Sequence, residues 1–311
     1  MTTCRIQRLF FKHFIVPPDV TSRSISFIPK HKPVEESDIN KLKQFIEKYN
    51  KILVVTGAGI STESGIPDYR SEGVGLYARS DKRPVQFQDF LKSRRVRIRY
   101  WARNFVGWPR FSSFQPNANH YALKQMEDNE KLSYIITQNV DGLHYKAGNK
   151  KVIEMHGTAF RVMCLGCDYE IDRHKFQKIL EDLNPDLMIE SQEMRPDGDV
   201  EMSEETISKF HVPQCPHCHG DLKPDIVFFG DNIPRHRMEK IDHLVRSCDG
   251  VLVLGSSLTV YSGYRILLEA TDLHLPIAIV NIGPTRGDSL AQLKVDAKCS
   301  QVLASLRKDQ S

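Results

Sequence analysis

The alternation of apolar runs and amphipathic stretches along this chain predicts an α/β protein. Short apolar runs typical of buried strands lie at 52–55, 132–137, 152–155, 225–230, 251–254 and 277–280. Stretches with apolar residues at helical spacing lie at 37–49, 120–126, 234–248 and 264–273. Ser37 is expected to cap the first of these helices. The predicted fold class is α/β, with a Rossmann-like parallel sheet and helices on both of its faces.

The pattern breaks down between residue 71 and about residue 116, where Arg, Phe and Trp are frequent and no long strand is visible. This stretch is predicted to form a small helical insertion. Within it, residues 92–103 are strongly basic with interleaved aromatic residues. A solvated helix face is the common explanation of such a run, and a nucleic-acid surface or a contact with an acidic substrate group are the alternatives.

Length and charge restrict the class of protein. The chain has 311 residues, enough for one large domain with an appended module. Its formal net charge is +4, but residues 1–33 hold six Lys and Arg residues against one Asp, so the rest is close to neutral. A near-neutral body argues against a protein dedicated to nucleic acid. No apolar run approaches the roughly 20 residues that a membrane span needs.

The first 30 residues have a composition of their own, rich in basic and hydroxyl-bearing residues. Ile6, Leu9, Phe10 and Phe14 fall at helical spacing, with basic residues among them. An amphipathic basic helix of this kind is typical of a mitochondrial transit peptide, so residues 1–30 are predicted to be one. The alternative is a disordered basic tail.

The first predicted strand ends in the turn Gly57-Ala58-Gly59. Glycines here let the backbone turn tightly and leave its N–H groups accessible to the phosphates of a nucleotide. The ordinary dinucleotide fingerprint would place a third glycine at position 62, where this chain has Thr62. The acidic residue expected on a second strand is also missing. The pattern therefore predicts a binding site for a nicotinamide or adenine nucleotide. It argues against a standard hydride-transferring dehydrogenase.

Polar residues follow three of the predicted strands. They are Gln138-Asn139-Val140-Asp141, Gly255-Ser256-Ser257 and Asn281-Ile282-Gly283. The carboxyl ends of parallel strands form the edge where an open α/β sheet binds its ligand, so these three groups are predicted to share one site. The apolar run at 152–155 is followed by His156-Gly157.

Four of the seven cysteines form two Cys-x-x-Cys pairs, Cys164 with Cys167 and Cys215 with Cys218. In a chain without a visible secretory signal, such pairs are more often metal ligands than disulfides. Four thiolates match the closed tetrahedral geometry of structural zinc, with no position left for chemistry. A pair of redox motifs is the alternative.

With these motifs in hand, the chain resembles the sirtuins, NAD-dependent protein deacylases, from about residue 33 to residue 303. The motifs that carry the resemblance occur in family order: 57–61, 65–70, 138–141, 156–157, the two cysteine pairs, 255–257 and 281–283. Tyr69 and the segments 75–79 and 99–108 are closest to the mitochondrial class II branch of the family. The resemblance implies NAD as a consumed co-substrate and a structural Zn²⁺.

The resemblance implies a role for each matching residue. The diphosphate turn comprises Gly57, Ala58, Gly59, Ile60 and Ser61. The loop that closes over the nicotinamide ribose comprises Pro67, Asp68, Tyr69 and Arg70, with Tyr77 close by. The ribose and nicotinamide are held by Gln138, Asn139, Val140 and Asp141. The adenosine side is contacted by Gly255, Ser256, Ser257, Asn281, Ile282, Gly283 and Cys299. His156 is the expected general base, and Asn139 the second catalytic residue.

The resemblance also implies an acyl-lysine substrate, which enters as an extended strand between residues 227–231 and 257–260. Val227, Phe228, Phe229 and Gly230 are expected at its channel. Tyr100 and Arg103 have the Tyr-x-x-Arg spacing that the desuccinylase branch uses for acidic acyl tails, since an arginine can pair bidentately with a carboxylate. We therefore expect bulky or carboxylated acyl groups such as lipoyl, biotinyl or glutaryl.

The expected catalytic domain spans residues 33–311. Its Rossmann-like parts are about 37–71, 117–157 and 224–305, with the helical insertion at about 72–116 and the zinc module at about 158–223. The expected partners are acylated metabolic enzymes of the mitochondrial matrix, with no nucleic acid and no membrane. The alternatives are a mono-ADP-ribosyltransferase, a weakly active NAD-sensing module and, more remotely, a DNA-binding protein.

Overall fold

A parallel sheet and a smaller antiparallel sheet organise the protein, described here from a computed structural model over residues 27–79, 84–187, 200 and 202–305. In these residues the strands are β1 (Ile52–Thr56), β2 (Leu132–Thr137), β3 (Val152–Glu154), β4 (Gly157–Cys164), β5 (Glu170–Asp172), β6 (Leu222–Ile226), β7 (Gly250–Leu254), β8 (Ile277–Val280) and β9 (Leu293–Val295). The helices are α1 (Glu36–Lys48), α2 (Leu76–Arg79), α3 (Phe87–Lys92), α4 (Arg94–Ser113), α5 (Ala118–Asp128), α6 (Leu143–Lys146), α7 (Arg173–Leu183), α8 (Glu204–Ser208), α9 (Arg235–Ser247), α10 (Tyr261–Asp272) and α11 (Cys299–Ser305). Short 3₁₀ turns lie at Ala58–Ser64 and Asp288–Leu290.

The larger sheet has six parallel strands in the order β3-β2-β1-β7-β8-β9. Successive side chains of β1 point to opposite faces and enter different apolar clusters. Ile52 and Val54 pack with residues of α1, α5 and α11. Leu53 and Val55 pack with residues of α9 and α10. The predicted parallel sheet with helices on both faces is therefore confirmed.

The smaller sheet is antiparallel, in the order β5-β4-β6. It packs with α4 and α7 around a third apolar cluster that contains Trp101, Trp108 and Phe176. The prediction of a parallel-sheet strand at 225–230 is wrong. The strand there is β6, which pairs with β4, and Gly230 has a φ of 77° that ends the extended run. An apolar run does not reveal which sheet it joins.

Three other local expectations also differ from the structure. Helix α1 has Glu35 as its N-cap without a side-chain cap bond, so the prediction that Ser37 caps it is wrong. Helix α10 begins at Tyr261, three residues before its predicted start. Strand β9 adds an edge that the sequence pattern did not predict, because its three residues include the polar Lys294.

The helical character of the insertion agrees with expectation, since α2, α3 and α4 lie between residues 72 and 116. Within the described ranges, no helix combines the length and apolar character needed to cross a membrane. The predicted transit peptide lies almost entirely outside those ranges, and the domain boundaries stay predictions.

Candidate active site

A cavity of about 1610 Å³ lies at the carboxyl edge of the parallel sheet, between that sheet and the smaller module. Strand β1 marks the point where the strand order reverses, with β2 on one side and β7 on the other. Ligands of open α/β sheets bind at such a point. The expected site residues that line this cavity are Gly57, Ala58, Gly59, Ser61, Asp68, Tyr69, Arg70, Tyr100, Gln138, Asn139, Val140, Asp141, His156, Val227, Phe228, Phe229, Gly230, Gly255, Ser256, Ser257, Asn281, Ile282, Gly283 and Cys299. Ile60, Pro67, Tyr77 and Arg103 are not among its lining residues.

The glycine turn after β1 packs directly on the turn after β7. The amide of Gly59 donates to the carbonyl oxygen of Gly255 at 2.9 Å. A Cβ atom at Gly57 would lie 2.7 Å from Cβ of Ser256, and one at Gly59 would lie 2.8 Å from the Gly255 oxygen. Both glycines are therefore required for the close packing of the two turns, and the residues of the first turn line the cavity. This arrangement fits the phosphates of a dinucleotide.

Polar side chains from β1 and β2 form one network beside the glycine turn. Nδ2 of Asn139 donates to the Gly57 carbonyl oxygen and to Oγ of Ser61, at 3.1 Å in each case. The Ser61 hydroxyl donates to Asp141 at 2.7 Å. Nε2 of Gln138 donates to Oγ of Ser256 at 2.8 Å, which joins this network to β7. The structure thus brings together residues up to 118 positions apart.

The loop after the 3₁₀ turn is organised by one carboxylate. Asp68 accepts hydrogen bonds from the amides of Arg70 and Ser71 at 3.1 and 2.8 Å. The ring centroid of the next residue, Tyr69, lies 5.9 Å from that of Tyr77 and 6.3 Å from that of Phe229. Asp68, Tyr69 and Arg70 line the cavity, whereas Tyr77 packs against Tyr69 outside the lining.

His156 lies between β3 and β4 with both ring nitrogens engaged. Nδ1 lies 3.0 Å from the Gln138 carbonyl oxygen, and Nε2 lies 2.9 Å from Oγ of Ser262. Burial lowers the pKa of His156 below its ordinary value of 6.5, the Gln138 hydrogen bond opposes this, and the Arg237 cation adds to it. At neutral pH the ring is therefore neutral, as a general base requires.

The residue after His156 must be glycine. Gly157 has a φ of 82°, and a Cβ atom there would lie 1.9 Å from the carbonyl oxygen of Asp225. The amide of Val227 donates to the His156 carbonyl oxygen at 2.8 Å. His156 is thus held against β6 and the segment that follows it, so the two sheets meet at this residue.

Aromatic rings form the wall of the cavity on the side of the smaller module. The Phe228 ring lies 5.2 Å from the rings of both Phe90 and Tyr100. Arg103 lies one turn further along α4, where it is buried and its Nε donates to the Val200 carbonyl oxygen. The structure therefore brings Tyr100 to the cavity and does not bring Arg103 there.

The basic stretch of α4 forms ion pairs within the protein. Arg95 and Arg99 pair with Glu204 at 2.9 and 2.7 Å, and Arg97 pairs with Asp221 at 3.1 Å. Through these ion pairs, α4 is bound to α8 and to the segment just before β6. They favour the structural explanation of this charge run over a nucleic-acid surface.

The two cysteine pairs converge at one point of the smaller module. The four Sγ atoms of Cys164, Cys167, Cys215 and Cys218 all lie within 4.8 Å of one another. The amide of Gly166 donates to Sγ of Cys164 at 3.2 Å. Four sulfur ligands at such spacing fit a tetrahedral structural zinc, so the predicted metal site is confirmed over the redox alternative.

Ser262 contacts the expected base directly but is not among the residues predicted for the site. The helix was predicted to begin at Tyr264, two residues after Ser262. A hydroxyl residue next to Gly263 at a helix start is a weak local signal. The contact spans 106 positions and is set by tertiary packing.

Comparison with known proteins leads to one family. Residues 57–262 match the Sir2 family. The chain is 58% identical over 280 residues to the NAD-dependent protein deacylase Sirt4 of Drosophila melanogaster, with 90% of each chain covered. It is 52% identical over 277 residues to the NAD-dependent protein lipoamidase sirtuin-4, mitochondrial, of Homo sapiens, covering 89% of this chain and 88% of the human one.

A solved structure of Sir2 with a p53 peptide and NAD⁺ has the same fold, with a TM-score of 0.68 and 27% identity. The match covers 86% of this chain and 96% of that one. The four-cysteine cluster, the glycine turn and the fold agree with these similarities, and the chain belongs to the Sir2 family.

Proposed function

We propose that this sirtuin is an NAD-dependent protein lysine deacylase that prefers a long, apolar acyl group of the lipoyl type. The observation that carries the proposal is the position of His156, which lies in the same cavity as the glycine turn and the Asn139 network. NAD, when bound, supplies a ribose carbon that loses nicotinamide and accepts the acyl oxygen. The chain's own residues position this chemistry and move its protons.

Each residue of the cavity has a task that its hydrogen bonds support. The Gly57–Gly59 turn is the expected phosphate site, because its three small residues line the cavity at the end of β1. Asn139, Ser61 and Asp141 orient the reacting ribose as one network. His156 removes a hydroxyl proton at Nε2, since its Nδ1 is committed to the Gln138 carbonyl oxygen.

The aromatic wall supports the preference for an apolar acyl group. The side chains of Tyr100 and Phe228 line the cavity, and Phe90 packs against both rings. An aromatic wall of this kind favours burial of a long hydrocarbon chain. Arg103 is bound to the Val200 carbonyl oxygen away from the cavity lining, which weakens the case for carboxylated tails. The human relative is named a lipoamidase, which supports the same choice.

We place the substrates among acylated proteins of the mitochondrial matrix, with metabolic enzymes as the expected class. The human relative is named mitochondrial, and the N-terminal 30 residues have a transit-peptide composition. An extended peptide fits between residues 227–231 and 257–260, which both line the cavity. Main-chain pairing of this kind reads little sequence, so one enzyme can act on many proteins.

The test is nicotinamide release by the purified protein with lysine peptides that carry acetyl, lipoyl or glutaryl groups. We expect release to depend on the peptide and kcat/KM to be highest for lipoyl-lysine. A higher kcat/KM for acetyl or glutaryl would overturn the acyl preference. Mass spectrometry of the peptide identifies the reaction, because an ADP-ribose adduct without free lysine would indicate ADP-ribosyl transfer. Release without any peptide requirement would contradict deacylation.

A further inference from the structure

Ser262 lies in the first turn of α10, on the lining of the NAD cavity. Its Oγ lies 2.9 Å from Nε2 of His156. Helix α10 has Val260 as its N-cap, without a side-chain cap bond. A serine at such a position commonly bonds the backbone of its own helix. Here the hydroxyl reaches across to the expected base.

The direction of this hydrogen bond follows from the other end of the ring. A backbone carbonyl can only accept, so Nδ1 of His156 carries the proton that binds Gln138. The single lone pair of the neutral ring is then on Nε2. The hydroxyl of Ser262 therefore donates to Nε2, and the ring is held at both nitrogens.

The next residue of α10 brings the helix close enough for this contact. A Cβ atom at Gly263 would lie 2.8 Å from Oε1 of Gln138. Glycine at this position lets the start of α10 pack directly on the side chain of Gln138. The backbone carbonyl oxygen of the same residue accepts from Nδ1 of His156. Two consecutive residues of α10 thus contact the base and the residue that orients it.

We propose that Ser262 is a positioning residue for His156 in the deacylase reaction, an inference that rests on the function proposed above. In the neutral state it donates to Nε2 and fixes the plane of the ring. For the reaction, the Ser262 hydrogen first turns away and frees the lone pair of Nε2 for the attacking hydroxyl. Nε2 then takes the proton of that hydroxyl, whose oxygen keeps the electron pair, so that an N–H bond replaces the O–H bond. The Ser262 oxygen is left to accept from Nε2–H, and Ser262 itself neither gains nor loses a proton.

This exchange of donor and acceptor matters because the surroundings of His156 disfavour its protonated, positively charged form. Burial and the Arg237 cation both disfavour the imidazolium. A hydrogen bond to an ionised donor is roughly twice as strong as one between neutral groups. Ser262 therefore stabilises the charged ring more than the neutral one, which lowers the barrier to proton transfer.

The test compares Ser262→Ala and Ser262→Thr with the wild type. Thr271→Ala is the matched control, because it removes a hydroxyl at the far end of α10 that bonds Leu267 at 2.8 Å. The first readout is ¹⁵N NMR of the histidine nitrogens in NAD-free protein. The second readout uses NAD and a lipoyl-lysine peptide and measures two rates. Incorporation of labelled nicotinamide into NAD reports a step before the proton transfer to His156. Release of the free lysine peptide requires that proton transfer.

We expect Ser262→Ala to shift the Nε2 resonance of His156 toward that of an acceptor without a hydrogen bond. Release of free lysine should fall roughly tenfold to a hundredfold, while nicotinamide exchange changes by less than about twofold. Ser262→Thr should restore both signals, and Thr271→Ala should match the wild type.

Unchanged lysine release in Ser262→Ala would overturn the proposal, and so would an equal fall in exchange and release. Failure of Ser262→Thr to restore release would also overturn it, since the hydroxyl would then not be the active feature. If the wild-type protein itself showed no peptide-dependent nicotinamide release, the proposed function would fail as well. The wild type and Thr271→Ala make that outcome distinct, because both would then be inactive.

Discussion

The edge of the parallel sheet and the smaller module face the same cavity but are stabilised in different ways. At the sheet edge, short polar side chains are held by hydrogen bonds to one another and to backbone, as in the contacts of Asn139 and His156. In the module, large rings such as Trp101 and Phe176 pack beside a cluster of four cysteine thiols. The proposed base therefore lies among hydrogen-bonded polar groups, and the proposed acyl channel lies beside the aromatic rings of the smaller module.

Loss of a zinc ligand should have the largest effect on stability and activity. Structural zinc contributes about 10–16 kcal/mol of apparent binding free energy in small domains, so Cys215→Ser should destabilise the module and abolish deacylation. Thermal melting and the zinc content of the purified protein are the measurements. Cys248→Ser is the matched control, since Cys248 is a buried cysteine outside the cluster. A Cys215→Ser protein with wild-type melting and activity would contradict the structural role.

His156→Ala should separate chemistry from folding at the sheet edge. General-base catalysis typically contributes 10²–10⁴-fold, so turnover with lipoyl-lysine peptide should fall by two to four orders of magnitude. The side chain makes two hydrogen bonds at the cavity surface, so circular dichroism and the melting temperature should stay close to wild type. Retained NAD-dependent turnover would remove His156 from the mechanism.

Phe228→Ala should affect the module side of the cavity. The ring is buried against Phe90 and Tyr100, and loss of a buried Phe costs about 3–5 kcal/mol of unfolding free energy. We also expect the ratio of kcat/KM for lipoyl-lysine to acetyl-lysine to fall, because the long chain loses its wall. Chemical denaturation and the two-peptide assay measure these effects. An unchanged ratio would place the acyl group elsewhere.

Arg103→Ala should have the smallest effect on activity. We expect its glutaryl-to-acetyl ratio of kcat/KM to change by less than about twofold, since Arg103 does not line the cavity. The unfolding free energy should fall by about 1–3 kcal/mol, because the Val200 carbonyl oxygen loses its donor. A selective loss of glutaryl-lysine activity would support the acidic-tail role that the Tyr-x-x-Arg spacing suggests.

Much of the fold was accessible from local pattern. The strands predicted at 132–137 and 277–280 coincide with β2 and β8. For β8 the reason is plain, because all four of its residues are apolar and buried. The pattern failed at 225–230, since β6 belongs to the other sheet and depends on its partner β4. The resemblance to the sirtuins supplied residue roles that no periodicity could give.

By itself the sequence determined the apolar strand runs, the glycine turn and each Cys-x-x-Cys pair, because each of these is defined by residues close together in the chain. Only the tertiary structure decided that Ser262 reaches His156, that Tyr100 faces the cavity and that Arg103 is covered near Val200. These outcomes depend on which distant segment packs over each side chain. Contacts across roughly 100 positions leave no local signal, since neither partner constrains the residues beside the other.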